Sequence, residues 1–161
     1  MTAPREAPAA GPPTALVLAA GFGTRLQPYT AHTPKPLFTL NGRPLLDIMI
    51  RRLVAGGIRT VIVNTHHHHE RIEAFLRGQN YPVALLIRHE PEILGTGGAI
   101  RNTADIWQPG PLLVVNSDIV TDIDFQRFQR FHRGHGQPVS LALCEDPAFD
   151  SVLVDGADRV V

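Results

Sequence analysis

At 161 residues, 43% apolar and 19% charged, the chain has room for one domain with a sizeable core and the composition of an ordinary globular protein. A formal net charge of zero excludes a broad basic footprint for nucleic acid, so any cationic site must be local. The single cysteine, Cys144, excludes an intrachain disulfide and suits a reducing, cytoplasmic compartment, and no apolar run is long enough for membrane insertion.

The first residues, MTAPREAPAAGPP, are rich in Pro and Ala and lack the apolar stretch of a signal peptide. They read as a disordered leader, which sets the expected domain at residues 14–161. Ala15 to Ala20 is a short apolar run that reads as a buried strand. After a long polar loop, Pro44 and LLDIMIRRLVAGG predict a helix, with Leu45, Leu46, Met49 and Leu53 on one face and Gly56-Gly57 as the stop. Thr60 to Asn64 is a second apolar strand, and Glu70 to Arg77 a helix closed by Gly78. Val83 to Ile87 is a third strand; Thr96 to Thr103 is a helix with Thr96 as its expected N-cap. Leu112 to Asn116 is a fourth strand, followed by a helix capped by Asp124 with a stripe of Phe125, Phe128 and Phe131. Val139 to Cys144 reads as a fifth strand and Ser151 to Val161 as a small hairpin.

Strands and helices alternate, and each strand is a nearly continuous apolar run, as expected when both of its faces are covered. The pattern predicts a doubly wound, mostly parallel α/β sheet with helices on both faces. In such sheets ligands sit beyond the carboxyl ends of the strands. The polar clusters Gly21 to Arg25, Glu90 to Gly98 and Asn116 to Asp118 all fall there.

The first cluster has the chemistry of a phosphate site. Gly21 and Gly23 let backbone N–H groups approach an anion, and Arg25 and Lys35 neutralise its charge. It is not a dinucleotide fingerprint, because Leu26 stands where the third glycine of G-x-G-x-x-G belongs, and it lacks the Gly-Lys-Ser/Thr of a Walker A loop. Pro28, Pro34 and Pro36 keep the segment from a helix, so it reads as an extended arm. The bland alternative is a tight strand-exit turn with surface charges. Asp118, after the fourth strand, suits Mg²⁺ held by one carboxylate plus phosphates and water, or else a turn-stabilising Asp. His66 to His69 lack converging partners and a nearby cysteine, so the run reads as a loop and helix start rather than a metal site.

A longer pattern surrounds these residues. Ala19-Ala20-Gly21-x-Gly23-Thr24-Arg25-Leu26-x-Pro28-x-Thr30, followed by Pro34-Lys35-Pro36-Leu37, resembles the signature of the sugar-1-phosphate nucleotidyltransferases. The resemblance continues through Asn41-Gly42-Arg43-Pro44-Leu45, Leu94-Gly95-Thr96-Gly97-Gly98 and Asn116-Ser117-Asp118. It implies a Rossmann-like nucleotide-diphospho-sugar transferase fold and transfer of a nucleoside monophosphate from an NTP to a sugar 1-phosphate, with Mg²⁺. It implies that Leu18, Ala19, Ala20, Gly21, Gly23 and Thr24 wrap the nucleotide, that Glu90 reads the base edge as an acceptor for guanine or uracil N–H groups, and that Gly95, Thr96, Gly97 and Asn116 complete the pocket. Arg25 would serve the leaving pyrophosphate, Lys35 would sit near the reacting phosphate, and Asp118 would hold the metal. Ser117 departs from the glycine usual before that aspartate.

The base stays open. HTPKPL and Asn64-x-His66 resemble N-acetylmuramate-1-phosphate uridylyltransferases, toward which the reading leans, while LGTGGAIR resembles mannose- or heptose-1-phosphate guanylyltransferases. UTP and GTP are therefore the expected donors. A non-catalytic nucleotide-binding module and an alcohol-phosphate cytidylyltransferase are the alternatives. The family's catalytic domains also continue beyond this length, and no residue after Asp124 reads as a second metal ligand. The resemblance thus implies a C-terminally incomplete domain that holds the donor half of the site and turns over poorly alone.

Overall fold

The computed structural model describes residues 11–146, 148 and 151–161; the expected leader, over residues 1–10, lies outside that range. β1 (Thr14–Leu18) is an inner strand of a four-stranded parallel sheet. Its neighbours are β4 (Thr60–Thr65) and β6 (Leu112–Asn116), and β5 (Ala84–His89) flanks β4, giving the order β5-β4-β1-β6. Residues 11–13, expected outside the domain, already join it: the Pro13 carbonyl accepts from Arg59 N–H at 2.9 Å and Thr60 N–H at 3.2 Å. Proline lacks a donor but keeps its acceptor, so a Pro-rich stretch can still dock at a sheet's end.

Strand alternation sends side chains to two separate cores. Ala15, Val17, Val61 and Val63 face α1 (Leu45–Ala55), α2 (His69–Arg77) and the start of α5 (Phe125–His135). Leu16 and Ile62 face α3 (Gly95–Asn102) and α4 (Ala104–Trp107). The expected helices on both faces are therefore present. In α1, Leu46, Met49, Ile50 and Leu53 recur at helical spacing and are all buried, each such side chain contributing about 1.5–3 kcal/mol. Asp124 caps α5 by accepting from Arg127 N–H at 2.9 Å, as its position predicts.

Other expectations are corrected. Thr96 is not an N-cap: α3 begins at Gly95, so Thr96 sits inside the first turn, and no side chain of the capping residue bonds to the helix. The Leu94 N–H instead donates to Glu90 Oε2 at 3.2 Å. The fifth strand is absent, and 139–146 is irregular and largely exposed. Its apolar alternation supplies only a side-chain pattern, whereas a strand also needs a neighbour for its backbone groups. The Phe stripe of α5 holds only at its start: Phe125 is buried, while Phe131 is 59% exposed. The small C-terminal hairpin is present as a bridge between Val154 and Val160.

A short hairpin precedes α1. β2 (Thr39–Leu40) and β3 (Arg43–Pro44) are joined by Asn41 and Gly42, both at positive φ (50° and 77°), the conformation of a two-residue hairpin turn that Asn-Gly favours. It delivers Pro44 to the N-cap position of α1 and closes the polar arm that leaves β1.

Candidate active site

The strand order fixes where a ligand can bind. The chain builds outward from β1 to β4 and β5, then crosses back to place β6 on the other side of β1. Connections diverge at this switch point and leave a crevice beyond the carboxyl ends. Register is aligned there: Leu18 pairs with Asn64 on one side and Asn116 on the other. A cleft of about 350 Å³ opens over this row.

The arm after β1 forms one wall. It folds as single 3₁₀ turns at Thr24–Leu26, Tyr29–Ala31 and Lys35–Leu37, tighter than the extended arm expected. Gly23 is its pivot, with φ +65° and a carbonyl that accepts from Leu26 N–H at 2.9 Å and Thr30 Oγ1 at 3.0 Å. A Cβ there would meet Thr30 Cγ2 at 2.9 Å, so glycine is needed for space as well as for backbone sign. Gly21 and Gly23 line the cleft, and their N–H groups make no hydrogen bond among the described residues. Arg25 lines it too, exposed and without an ion pair among the described residues.

Lys35 and Asp118 meet across the cleft. The Lys35 ammonium is ion-paired with Asp118 Oδ2, and their side chains are 32% and 26% exposed. The arm and the end of β6, more than eighty positions apart in the chain, are thus brought to one point. Such a half-exposed pair is weakly held, so either charge can be recruited by a charged ligand.

The opposite wall rests on a buried relay. Asn64, 3% exposed, accepts at Oδ1 from Ala19 N–H (2.8 Å) and donates from Nδ2 to Glu90 Oε1 (2.9 Å). Glu90 is 1% exposed, and its other oxygen accepts from Leu94 N–H, so the acceptor expected to read a base edge is instead committed to the protein's own donors. One side chain therefore ties the ends of β1 and β4 to the loop before α3. A buried carboxylate needs such donors, because its desolvation is otherwise uncompensated.

Of the residues expected around a nucleotide, Leu18, Ala19, Ala20, Gly21, Gly23, Arg25, Glu90, Gly95, Thr96 and Asn116 line the cleft with Lys35 and Asp118. Thr24 and Gly97 do not line it. Asn64, Pro36, Ile93 and Ser117 do, beyond those expected. A polar residue ending an apolar strand was the available signal for Asn64. Ser117 is buried, its N–H donating to the Leu18 carbonyl at 3.1 Å.

The histidine run braces the arm from outside. Phe22 packs edge-on against His66 with ring centroids 5.3 Å apart, and His66 Nδ1 lies 2.7 Å from the Glu90 carbonyl. His68 Nε2 is 3.3 Å from the Thr30 carbonyl, and Arg71 donates to the carbonyl of His32. Burial, then the neighbouring His68, pushes the His67 imidazole below its ordinary pKa.

A parallel sheet whose switch-point crevice carries a glycine arm, two cations and a half-exposed carboxylate is the architecture of a nucleotide-binding α/β protein. The chain belongs to the family described as Nucleotidyl transferase, whose pattern matches residues 14–148. It is 36% identical over 153 residues to the mannose-1-phosphate guanylyltransferase catalytic subunit beta of Drosophila pseudoobscura pseudoobscura, covering 91% of this chain and 41% of that protein. It is 38% identical over 152 residues to the mannose-1-phosphate guanylyltransferase of Mycobacterium tuberculosis, covering 91% and 42%. Among solved structures, HddC from Yersinia pseudotuberculosis complexed with GMP-PN is similar, with a TM-score of 0.67, 26% identity, and coverage of 75% of this chain and 54% of that one. The chain thus spans about 42% of the length of the curated relatives it matches. Among the described residues no helix is long and apolar enough to cross a membrane.

Proposed function

We propose that the chain provides the donor-nucleotide site of an enzyme that transfers GMP from GTP to a sugar 1-phosphate and releases pyrophosphate. The observation that carries this reading is the meeting of Lys35 and Asp118 across a glycine-lined crevice that Arg25 also lines. The guanine base is favoured by relatives that are guanylyltransferases at 36–38% identity, in place of the uridine donor toward which the HTPKPL stretch leans. A single exposed cysteine suits a cytoplasmic setting.

In this reading an oxygen of the acceptor phosphate attacks the α-phosphorus of GTP, and the bond from that phosphorus to the bridging oxygen of the leaving pyrophosphate breaks. Little covalent work is left for the protein, so positioning and charge neutralisation dominate. The uncommitted N–H groups of Gly21 and Gly23 donate to the triphosphate. Arg25 forks onto the departing pyrophosphate, as a planar guanidinium does. Lys35 turns from Asp118 to the reacting phosphate and offsets the repulsion between two anions. Thr24 and Gly97 act through the shape of their loops. Glu90, already bonded at both oxygens, positions the wall against which the base lies.

Asp118 is the carboxylate left to hold Mg²⁺, because the other one lining the cleft, Glu90, is buried and committed. One carboxylate fits an ion that takes most of its ligands from phosphate and water. When bound, Mg²⁺ would supply charge neutralisation on the phosphates.

The test is a pyrophosphate-release screen of GTP, UTP, CTP and dTTP against mannose, heptose, glucose and N-acetylmuramate 1-phosphates, with calorimetry of each nucleotide on the 161-residue chain. GTP is expected to bind and to support the fastest release. Preferential binding of UTP, CTP or dTTP would overturn the guanine assignment, while slow release is what a donor half alone implies. Absence of both binding and release would overturn the proposal.

A further inference from the structure

In sequence the histidine run has no spaced partner, but the fold brings two. β5 pairs beside β4 with Thr65 opposite His89, which carries His89 to the first turn of α2. Helical spacing then sets Glu73 on the same face as His69. His69 Nδ1 lies 3.2 Å from Glu73 Oε1, and the His69 and His89 rings are 4.1 Å apart. One donor atom from each of the three lies within 4.8 Å of the others, the one such cluster of His, Cys, Asp or Glu among the described residues.

We infer that His69, Glu73 and His89 form a binding site for a divalent transition metal of the zinc class, separate from the nucleotide cleft. Two imidazoles and one carboxylate are a set that zinc accepts, with water at the fourth position. Donors on a tetrahedral zinc with bonds of about 2.0–2.1 Å stand about 3.3 Å apart. The His69–Glu73 pair is already at that spacing. His89, exposed on the edge strand β5, closes the remaining gap by rotating its side chain. Neighbouring donors hold the Glu73 carboxylate in place. Arg77 donates to its Oε2 at 2.8 Å, leaving Oε1 to His69 and to the Thr65 hydroxyl at 3.3 Å. Magnesium prefers oxygen ligands, so the ion expected at Asp118 does not compete here.

The site couples to the cleft through the chain. His89 immediately precedes Glu90, whose carboxylate joins Asn64 and Leu94. A zinc ion joining His69 to His89 pins the end of β5 to α2 and stiffens that wall from behind.

The experiment is calorimetric titration of the untagged 161-residue chain with ZnCl₂, repeated with Co²⁺ and followed by visible absorption, alongside melting curves with and without zinc. One equivalent is expected, with the intense Co²⁺ bands of a four- or five-coordinate site and a zinc-dependent rise in Tm. His89→Ala and Glu73→Gln should each weaken binding at least about tenfold and abolish the rise in Tm, since even outer-shell changes at metal sites cost about 10–100-fold. The double variant His67→Ala/His68→Ala should bind as the parent does. His89 is exposed, so its alanine variant is expected to fold, and circular dichroism checks this. Unchanged affinity in folded His89→Ala would overturn the site. So would loss of binding in the His67/His68 variant, which would mark a loose histidine tract, or the absence of saturable binding.

Discussion

Replacing Asn64 by alanine tests the relay beneath the cleft. The change removes the acceptor of the Ala19 N–H and the donor to Glu90 Oε1, both buried. A buried donor left unpaired costs about 1–3 kcal/mol, and a buried charge that loses a partner costs more. Two buried groups lose a partner, so with the small loss of packing about 2–5 kcal/mol of stability is expected to disappear. That is a large share of the roughly 5–15 kcal/mol that typically holds a domain folded. Guanidinium unfolding of the parent, Asn64→Ala, Glu90→Gln and the double variant gives a complete cycle. The coupling between the two positions should reach about 0.5–3 kcal/mol. Nucleotide affinity should fall in Asn64→Ala even under conditions where it stays folded, because Ala19 and the loop before α3 lose their common support. A destabilisation below about 1 kcal/mol with no coupling would refute the reasoning, since an exposed or water-satisfied pair loses no more than that.

Three further outcomes follow from the same geometry. Gly23→Ala places a Cβ at φ +65° and 2.9 Å from Thr30 Cγ2, so it should cost about 1–3 kcal/mol in thermal unfolding and weaken nucleotide binding; a neutral result would deny the arm its pivot. Lys35→Ala and Asp118→Asn should leave stability within about 1 kcal/mol, because a half-exposed ion pair contributes little. Each should lower kcat by about 10²–10³ wherever pyrophosphate release is measured, and unaltered rates would remove the pair from the reaction. Burial pushes the Asp47 carboxyl up, but hydrogen bonds from Arg51 and Tyr81 and the charge of Arg51 outweigh it, so its pKa lies below the ordinary 3.8. The folded state therefore binds this proton more weakly than the unfolded chain, and the stability it confers is present above that value and lost as pH falls through the lower folded one. Asp47→Asn should flatten the acid limb of a stability–pH curve, and an unchanged limb would show that other carboxylates set it.

Much of this protein is carried by short stretches of sequence. Apolar periodicity located β1, β4, β6, α1 and α2 to within about two residues at each end, because each period is repeated over consecutive residues. The phosphate chemistry proposed for the arm from Gly21 to Leu37 was readable for the same reason: its glycines, prolines and cations are local. What pairs with what was not legible. The segment at 139–144 has a strand's alternation but no partner beside it, and Phe131 continues a helical stripe that nothing covers. Asn64 and Glu90 gained their roles only when the register of β1, β4 and β5 set them side by side, and His69 and His89 met the same way. Consecutive residues encode a side-chain pattern. The partner of a hydrogen bond, an ion pair or a metal ligand is chosen by strand order and register, which exist only once the sheet has formed.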